Sequence, residues 1–206
     1  GEVGDQISKE CIPSGFRILA YWDNGFRHIT NSKRPIYVPK DLQGLKIRTP
    51  EDKMTISIFK ALGANPQPLA FGELYMALSQ GLFDGQENPI VNIYASKLYE
   101  VQKYISLTNH KYETCPLIIS EFTWKRLSKA DQDLLLEAAR KFAAVHREMN
   151  NKANEDLLVE LKKYGVQVNT ADVAAMKAAT ASVYKEYEPV FGKDLINRVQ
   201  DIAQKY

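Results

Sequence analysis

The chain has 206 residues, 45% of them hydrophobic and 25% charged, and its 27 basic and 25 acidic residues leave a net charge of +2. This composition is typical of a globular protein, and the near balance of charge argues against a surface that binds nucleic acid. No apolar run approaches the roughly 20 residues of a membrane span, and the opening residues lack the basic start and apolar stretch of a signal peptide.

The two cysteines and three histidines form no recognisable metal or redox motif. Cys11 and Cys115 are compatible with one disulfide or with two free thiols, and we expect free thiols because a core of this size needs no cross-link. The histidines are scattered without HExxH or CxxC spacing, so nothing supports a zinc site. A glycine-rich phosphate loop is missing too, and Gly85 is expected in a turn.

The first half of the chain alternates strand and helix signals. Residues 45–48 read as a short strand, and a helix follows with Thr49 as its N-cap and Asp52 as the acidic member of a capping box. Gly63 ends that helix. A second strand at 67–70 and a second helix at 71–80 complete the pattern. This spacing predicts a βαβ unit in a largely parallel sheet.

Further strands are expected at 104–107 and 116–119, separated by the polar run 108–111. A long helix then starts at the capping box of Ser128 and Asp131 and runs without proline to Gly165. At about 35 residues it would be about 50 Å long, so it either breaks near 150–151 or runs along two lobes. Its apolar stripe, which we expect to pack on the core, consists of Leu134, Leu135, Ala138, Phe142, Val145, Met149, Ala153, Leu157 and Leu161.

The end of the chain predicts one more strand and two more helices. The strand lies at 166–168, the first helix runs from 172 to 188 and is broken by Pro189, and an amphipathic helix covers 193–205. No internal repeat interrupts this order. The whole pattern indicates an α/β fold.

Arg48 is the most informative single residue. It ends a predicted strand and precedes a helix N-terminus, and this edge of an open α/β sheet is where ligands bind. A guanidinium there can hold a carboxylate through two parallel hydrogen bonds. The alternative is a surface arginine paired with Glu51 or Asp52.

Other candidate residues are less decisive. Asn88 precedes Pro89, so it is extended and can present its amide to a cleft, or else it caps the helix that begins at Pro89. Arg27 offers a second cation and Phe71 an apolar face, although alone they read as a solvated arginine and a core phenylalanine. Glu87 is not placed opposite another acid, so paired-carboxylate catalysis has no support.

These residues also lie in blocks that resemble the extracytoplasmic solute receptors of TRAP-type transporters. The order and spacing agree from about residue 15 to 110. The blocks are Asn24–Asn31, Arg34–Ile36, Asp41–Arg48, Leu62–Ala64, Glu73–Leu78, Asp84–Pro89 and Tyr99–Tyr104.

The resemblance implies a two-lobed fold of the periplasmic-binding-protein kind with a long C-terminal helix. It implies that Arg48 forms a salt bridge to the ligand carboxylate, that Asn88 contacts the same end, that Arg27 assists, and that Phe71 packs on the ligand body. Relatives that use a metal tend to carry a different segment at 86–88, so we predict no metal and no other cofactor.

The resemblance begins inside the family pattern, so we expect the first lobe to be incomplete. The expected remainder of lobe I is 1–25 and 114–150, lobe II is 26–113 and 151–180, and C-terminal helices occupy 181–206. With the signal peptide and N-terminal part outside this chain, we expect weaker binding than in an intact receptor and a tendency to self-associate.

The resemblance implies a periplasmic receptor, not an enzyme, that delivers an organic acid to TRAP membrane permease subunits. A sugar acid such as a hexuronate is favoured over a C4-dicarboxylate. One alternative is an α/β enzyme acting on a small carboxylic acid, which would use the same arginine but would also need a placed acid–base or nucleophile. Another is a helical interaction protein built on the long helix.

Overall fold

The computed structural model describes residues 1–203. Within them, helices and strands alternate along most of the chain, as an α/β fold requires. In chain order the elements are α1 Glu2–Glu10, β1 Phe16–Asn31, β2 Lys46–Thr49, α2 Lys53–Ala61, β3 Asn65–Pro68, α3 Leu74–Ser79, β4 Gly85–Asn88, α4 Ile90–Ala95, β5 Tyr104–Ser120, α5 Glu121–Trp124, α6 Lys129–Lys163, β6 Gln167–Thr170, α7 Val173–Ala179, α8 Ala181–Phe191 and α9 Lys193–Ala203.

The six strands of this range form one mixed sheet in the order β3-β2-β4-β1-β5-β6. The β2–β3, β2–β4 and β5–β6 pairs are parallel, as the βαβ pattern predicts. β1 runs antiparallel to β4, with His28 opposite Asn88 and Thr30 opposite Gln86. Sequence analysis missed β1, and the sheet is therefore less parallel than expected.

The chain divides into two compact units. The first contains residues 1–25, 113–152 and the described residues from Gly192 onward, and the second contains 26–112 and 153–191. α8 groups with the second unit and α9 with the first. The assignment of these units to two receptor lobes stays a prediction.

The second unit holds most of the buried apolar side chains. One cluster is built around Ile29, Ile47 and Phe59, all completely buried, and another around Ile90 and Ile105. The first unit has a much smaller cluster, in which Leu19, Trp124 and Ala139 are the buried members. Within residues 1–203, most of the apolar burial is therefore in the second unit.

β5 is one continuous strand where sequence analysis predicted two. The polar run at 108–111 stays in the strand because its side chains have partners: Thr108 and His110 bond each other, and Lys111 reaches Asp52 and Thr55. Satisfied polar side chains cost little when they are buried. Sequence analysis could not see these hydrogen-bond partners, and it therefore divided β5 into two strands.

α6 is an unbroken helix of 35 residues, so of the two alternatives the break near 150–151 does not occur. The predicted single helix over 172–188 is instead two helices, and Pro189 lies inside the second near its C-terminal end. The predicted 193–205 helix is described as far as Ala203, and its last two residues lie outside the described range. No helix within 1–203 combines the length and apolarity needed to cross a membrane. Cys11 and Cys115 are both free thiols.

α2 begins later than the sequence suggests. Its N-cap is Asp52, not Thr49, because the Asp52 carboxylate accepts hydrogen bonds from the main-chain amides of Met54 (3.1 Å) and Thr55 (3.3 Å). Thr49 stays in β2, completely buried. Burial acts to raise the pKa of Asp52, but hydrogen bonds from Thr55 and Lys111 outweigh it and lower the pKa to about 2.

Replacing the cap in Asp52→Ala should lower the free energy of unfolding by about 1 kcal/mol at neutral pH, measured by urea denaturation. The carboxylate has a lowered pKa in the folded state, so its contribution is present above its usual pKa of 3.8 and is lost as the pH falls toward 2. The difference in free energy of unfolding between wild type and Asp52→Ala should therefore shrink over that pH range. Asp52→Asn is the control, since its amide oxygen keeps the cap. An equal loss in both variants would contradict the capping role.

Candidate functional site

Arg48 lies near the carboxyl end of β2, which is paired with β3 on one side and β4 on the other. It stands opposite Gln67 of β3 and Gln86 of β4, and it is only 3% exposed. Its Nε and Nη2 donate to the carbonyl oxygen of Leu69, at 2.8 and 2.5 Å. This main-chain acceptor fixes the guanidinium plane. The alternative of a surface arginine paired with Glu51 or Asp52 does not occur, since Arg48 is buried and Asp52 binds Lys111 at 2.9 Å.

The charge of Arg48 is not neutralised by an ion pair. Among residues 1–203, no carboxylate lies within salt-bridge distance of its guanidinium. Burial lowers the pKa of Arg48, and the Glu87 carboxylate opposes that shift from farther away. An arginine still keeps its proton in such surroundings. A buried cation without a counter-ion is costly, and an anionic ligand would relieve that cost.

Phe71 lies beside this cation. It begins the short helical turn Phe71–Glu73 that follows β3, and its ring centroid is 5.9 Å from Arg48 Cζ. Phe71 is 46% exposed, so the alternative of a core phenylalanine is wrong. A half-exposed aromatic face next to a recessed guanidinium can contact the apolar body of a small acid.

All four residues of β4 are buried, although the strand reads Gly-Gln-Glu-Asn. Gly85 is its first residue and not a turn residue, which corrects the prediction. A Cβ at this position would collide with the carbonyl oxygen of Thr30 on β1, so only glycine permits the close pairing of the two strands. Three consecutive polar side chains are thereby drawn into the interior.

Amide and hydroxyl side chains on one face of β4 and β1 form a buried chain of hydrogen bonds. Gln86 Nε2 donates to Thr30 Oγ1 at 2.9 Å, and Thr30 Oγ1 donates to Gln102 Oε1 at 2.9 Å. Asn88 Nδ2 donates to Gln86 Oε1 at 2.5 Å. Because Gln86 is directly opposite Arg48, this chain connects Asn88 to the arginine's neighbourhood. Asn88 does not cap α4, whose N-cap is Pro89 without a side-chain bond.

Arg27 is buried in an ion pair that sequence analysis did not predict. Its Nε and Nη2 donate to the Glu87 carboxylate at 2.5 and 2.8 Å, and Nη2 also donates to Asn88 Oδ1 at 3.1 Å. His110 Nε2 lies 3.1 Å from the same carboxylate. Burial acts to raise the pKa of Glu87, but the bonds from His110 and Arg27 outweigh it and hold the pKa below its usual value. Arg27 is thus neither solvated nor unpaired.

His28 adds no positive charge here at neutral pH. It stands opposite Asn88, is 9% exposed, and its Nδ1 has no hydrogen-bond partner within residues 1–203. Burial, assisted by the nearby His110, lowers the pKa of His28 to about 4. Glu87 is the counter-ion of Arg27, so Arg48 is left as the arginine of the site that no carboxylate within residues 1–203 neutralises.

The structure brings the four predicted site residues into one region of the second unit. Arg48 contacts Phe71, and Arg27 contacts Asn88. Their role in binding a ligand stays a prediction. Sequence analysis missed Glu87, His110 and Gln86 as members of the same network. The available signal was the density of polar residues at 84–88, which is unusual for a strand buried on both faces.

The chain matches the family model described as bacterial extracellular solute-binding protein, family 7, over residues 1–189. It is 36% identical to the 2,3-diketo-L-gulonate-binding periplasmic protein of Escherichia coli, a match that covers 95% of this chain and 59% of that protein. Two solved TRAP periplasmic solute-binding proteins are similar in structure. The one from Polaromonas, bound to D-erythronate, has a TM-score of 0.92 and 41% identity over 97% of this chain and 66% of that chain. The one from Sulfitobacter, with bound β-D-galacturonate, has a TM-score of 0.91 and 30% identity over 96% and 66%. The chain spans less than two thirds of the length of the curated relative.

Proposed function

The chain belongs to family 7 of the bacterial extracellular solute-binding proteins, the solute-binding proteins of TRAP transporters, and we propose that it binds a small organic acid through Arg48. The family membership confirms the resemblance and the α/β periplasmic-binding fold that the sequence implied. The observation that carries the proposal is a buried arginine, 3% exposed, with no carboxylate partner in residues 1–203. A ligand carboxylate would supply the missing counter-ion.

The other site residues have distinct proposed roles. Phe71 packs on the body of the acid. Asn88 Nδ2 donates one of its two hydrogens to Gln86, and it donates the other to the carboxylate end of the ligand. Arg27 is held by Glu87, so we propose that it positions Asn88 and contributes to ligand binding through that residue.

A sugar acid with one carboxylate, such as a hexuronate, suits the charge of this site better than a C4-dicarboxylate. Arg27 and Glu87 neutralise each other, which leaves one cation for one carboxylate. Hydroxyl groups can bond to the amides of Gln86 and Asn88. The relatives whose names specify a sugar acid support this choice.

We propose that the whole protein is a periplasmic receptor that delivers its ligand to a TRAP membrane permease and catalyses no reaction. A thermal-shift screen tests the binding step, because a ligand that binds only the folded state raises the melting temperature. Hexuronates and aldonates should raise it more than succinate, and neutral hexoses should leave it unchanged. Recovery of the acid unchanged by mass spectrometry would exclude the enzyme alternative. Equal shifts from acids and neutral hexoses would contradict the proposal.

Asn88→Ala should weaken binding of the best acid about tenfold, because one hydrogen bond to a charged group is lost. Calorimetry on wild type and variant measures this effect. Asn92→Ala is the matched control, since Asn92 is also an amide and lies one helical turn farther along α4, with its Nδ2 3.4 Å from Asn88 Oδ1. A large and equal loss of affinity in both variants would point to a structural role of the segment.

A further inference from the structure

The buried hydrogen-bond chain that begins at Arg27 runs in one direction. Arg27 Nη2 donates to Asn88 Oδ1 at 3.1 Å, and Asn88 Nδ2 donates to Gln86 Oε1 at 2.5 Å. Gln86 Nε2 then donates to Thr30 Oγ1 at 2.9 Å, and Thr30 Oγ1 donates to Gln102 Oε1 at 2.9 Å. Each side chain between the two ends therefore accepts a hydrogen bond from one neighbour and donates one to the next.

The two ends of the chain fix its direction. A guanidinium can only donate, and a main-chain carbonyl can only accept. Arg27 is the donor at one end, and at the other end Gln102 Nε2 donates to the carbonyl oxygen of Val101 at 2.9 Å. Turning over any one amide between these ends would bring two donors or two acceptors into contact. The network therefore determines the orientation of every amide in it.

Thr30 joins the two halves of this chain. Its hydroxyl accepts from Gln86 and donates to Gln102 through one oxygen atom, which neither atom of an amide side chain can do. Thr30 and Gln86 are completely buried, and Gln102 is 2% exposed. Solvent therefore does not replace the hydroxyl when it is removed, and the side chains that it held lose a hydrogen bond.

Thr30 reaches the candidate ligand site through Gln86. Both Thr30 and Arg48 lie directly opposite Gln86, on the two strands that flank β4. The Gln86 oxygen accepts from Asn88 in the intact chain. Once its amide is no longer held by Thr30, that oxygen can accept from Arg48 instead and compete with a ligand carboxylate.

We propose that Thr30 is a positioning residue of the ligand site. By holding the Gln86 amide, it keeps the Gln86 oxygen on Asn88 and away from Arg48. The Asn88 amide then presents an N–H, and not its oxygen, to the ligand, so the ligand group at this point is an acceptor such as a carboxylate oxygen. This inference rests on the proposed roles of Arg48 and Asn88, and it adds a residue that does not touch the ligand.

Thr30→Val tests the proposal, because valine keeps the shape of threonine and removes the hydroxyl. The acid that gives the largest thermal shift and its uncharged analogue, for example galacturonate and galactose, are titrated by calorimetry. Thr30→Val should bind the acid about tenfold more weakly than wild type, with a smaller change for the analogue. Thr30→Ser should restore the affinity, since it restores the hydroxyl. Thr30→Ala removes the same hydroxyl and takes the place of Thr30→Val if that variant does not fold.

Thr49→Val is the matched control. Thr49 is also a completely buried threonine, on the adjacent strand β2, but its Oγ1 has no hydrogen-bond partner within residues 1–203. Removing that hydroxyl should leave the affinity for the acid unchanged. The NMR signals of the Gln86 and Asn88 side-chain amides, recorded without ligand, should shift in Thr30→Val and much less in Thr49→Val. Circular dichroism identifies a temperature at which every variant is folded.

The possible outcomes separate this inference from the proposed function. A wild type that binds the acid and the analogue equally would overturn the proposed function and the role of Thr30 with it. A preference for the acid that is strong in wild type and survives in Thr30→Val would overturn the role of Thr30 alone. Equal losses of affinity in Thr30→Val and Thr49→Val, or a loss that Thr30→Ser does not restore, would also overturn it.

Discussion

Glu87→Gln should lower the free energy of unfolding by about 4 kcal/mol at neutral pH. Glu87 is completely buried, and it is the counter-ion of Arg27, which is 5% exposed. A glutamine fills the same volume and keeps one hydrogen-bond acceptor, but it leaves the guanidinium charge buried without compensation. Urea denaturation measures the loss.

Two comparisons make this test specific. Glu121 also binds an arginine through two bonds, each 3.1 Å, but the side chain of Arg17 is 27% exposed, so Glu121→Gln should cost only about 1 kcal/mol. In Glu87→Gln/Arg27→Met both charges are gone, and most of the stability should return. Similar losses in Glu87→Gln and Glu121→Gln would contradict the account.

The same contribution should depend on pH. The pKa of Glu87 is lower in the folded state than its usual value of 4.5. The stability that the carboxylate contributes is therefore present above 4.5 and is lost as the pH falls through the folded pKa. The difference in free energy of unfolding between wild type and Glu87→Gln should therefore shrink at acidic pH.

Arg48→Ala should weaken binding of the best organic acid about a hundredfold. The guanidinium is recessed, and its plane is fixed by the Leu69 carbonyl, so little entropy is lost when a carboxylate binds. Arg48→Lys should recover only part of the affinity, since an ammonium cannot copy two parallel bonds. Calorimetry or NMR titration gives the dissociation constants.

Arg34→Ala is the matched control for this measurement. Arg34 is likewise bound to main-chain carbonyls, those of Asp41 (2.8 Å) and Gln43 (2.9 Å), but it is exposed. Its loss should leave the affinity unchanged. Equal losses in Arg34→Ala and Arg48→Ala would indicate a general effect of positive charge and contradict a specific carboxylate site.

Much of the fold could be predicted from local patterns. The strand that carries Arg48 and the helix that follows it were located within a few residues, because turn and capping residues mark their ends. β1 was missed, since its sequence shows no clean alternation and its polar residues Thr30 and Arg27 are buried. Their partners lie on β4 and near β5, distant in sequence, and no local pattern reveals them.

The candidate site shows the same limit. The position of Arg48 follows from a strand end, a local feature. The ion pair between Arg27 and Glu87 joins residues that are 60 positions apart in the sequence. This ion pair changes the proposed role of Arg27 from contacting the ligand to supporting Asn88. The apolar stripe of α6 was predicted to pack on the core; Leu157 and Leu161 do so, whereas Phe142 and Met149 are exposed. Periodicity does not tell whether such a face is covered.

The central claim is that Arg48 recognises a carboxylate, and calorimetry with matched ligands tests it most directly. The acid that gives the largest thermal shift and its uncharged analogue, for example galacturonate and galactose, are titrated into wild type and Arg48→Ala. We expect wild type to bind the acid about a hundredfold more tightly than the analogue, and the variant to lose that preference. Binding of acid and analogue with equal affinity, or a preference that survives in Arg48→Ala, would contradict the account.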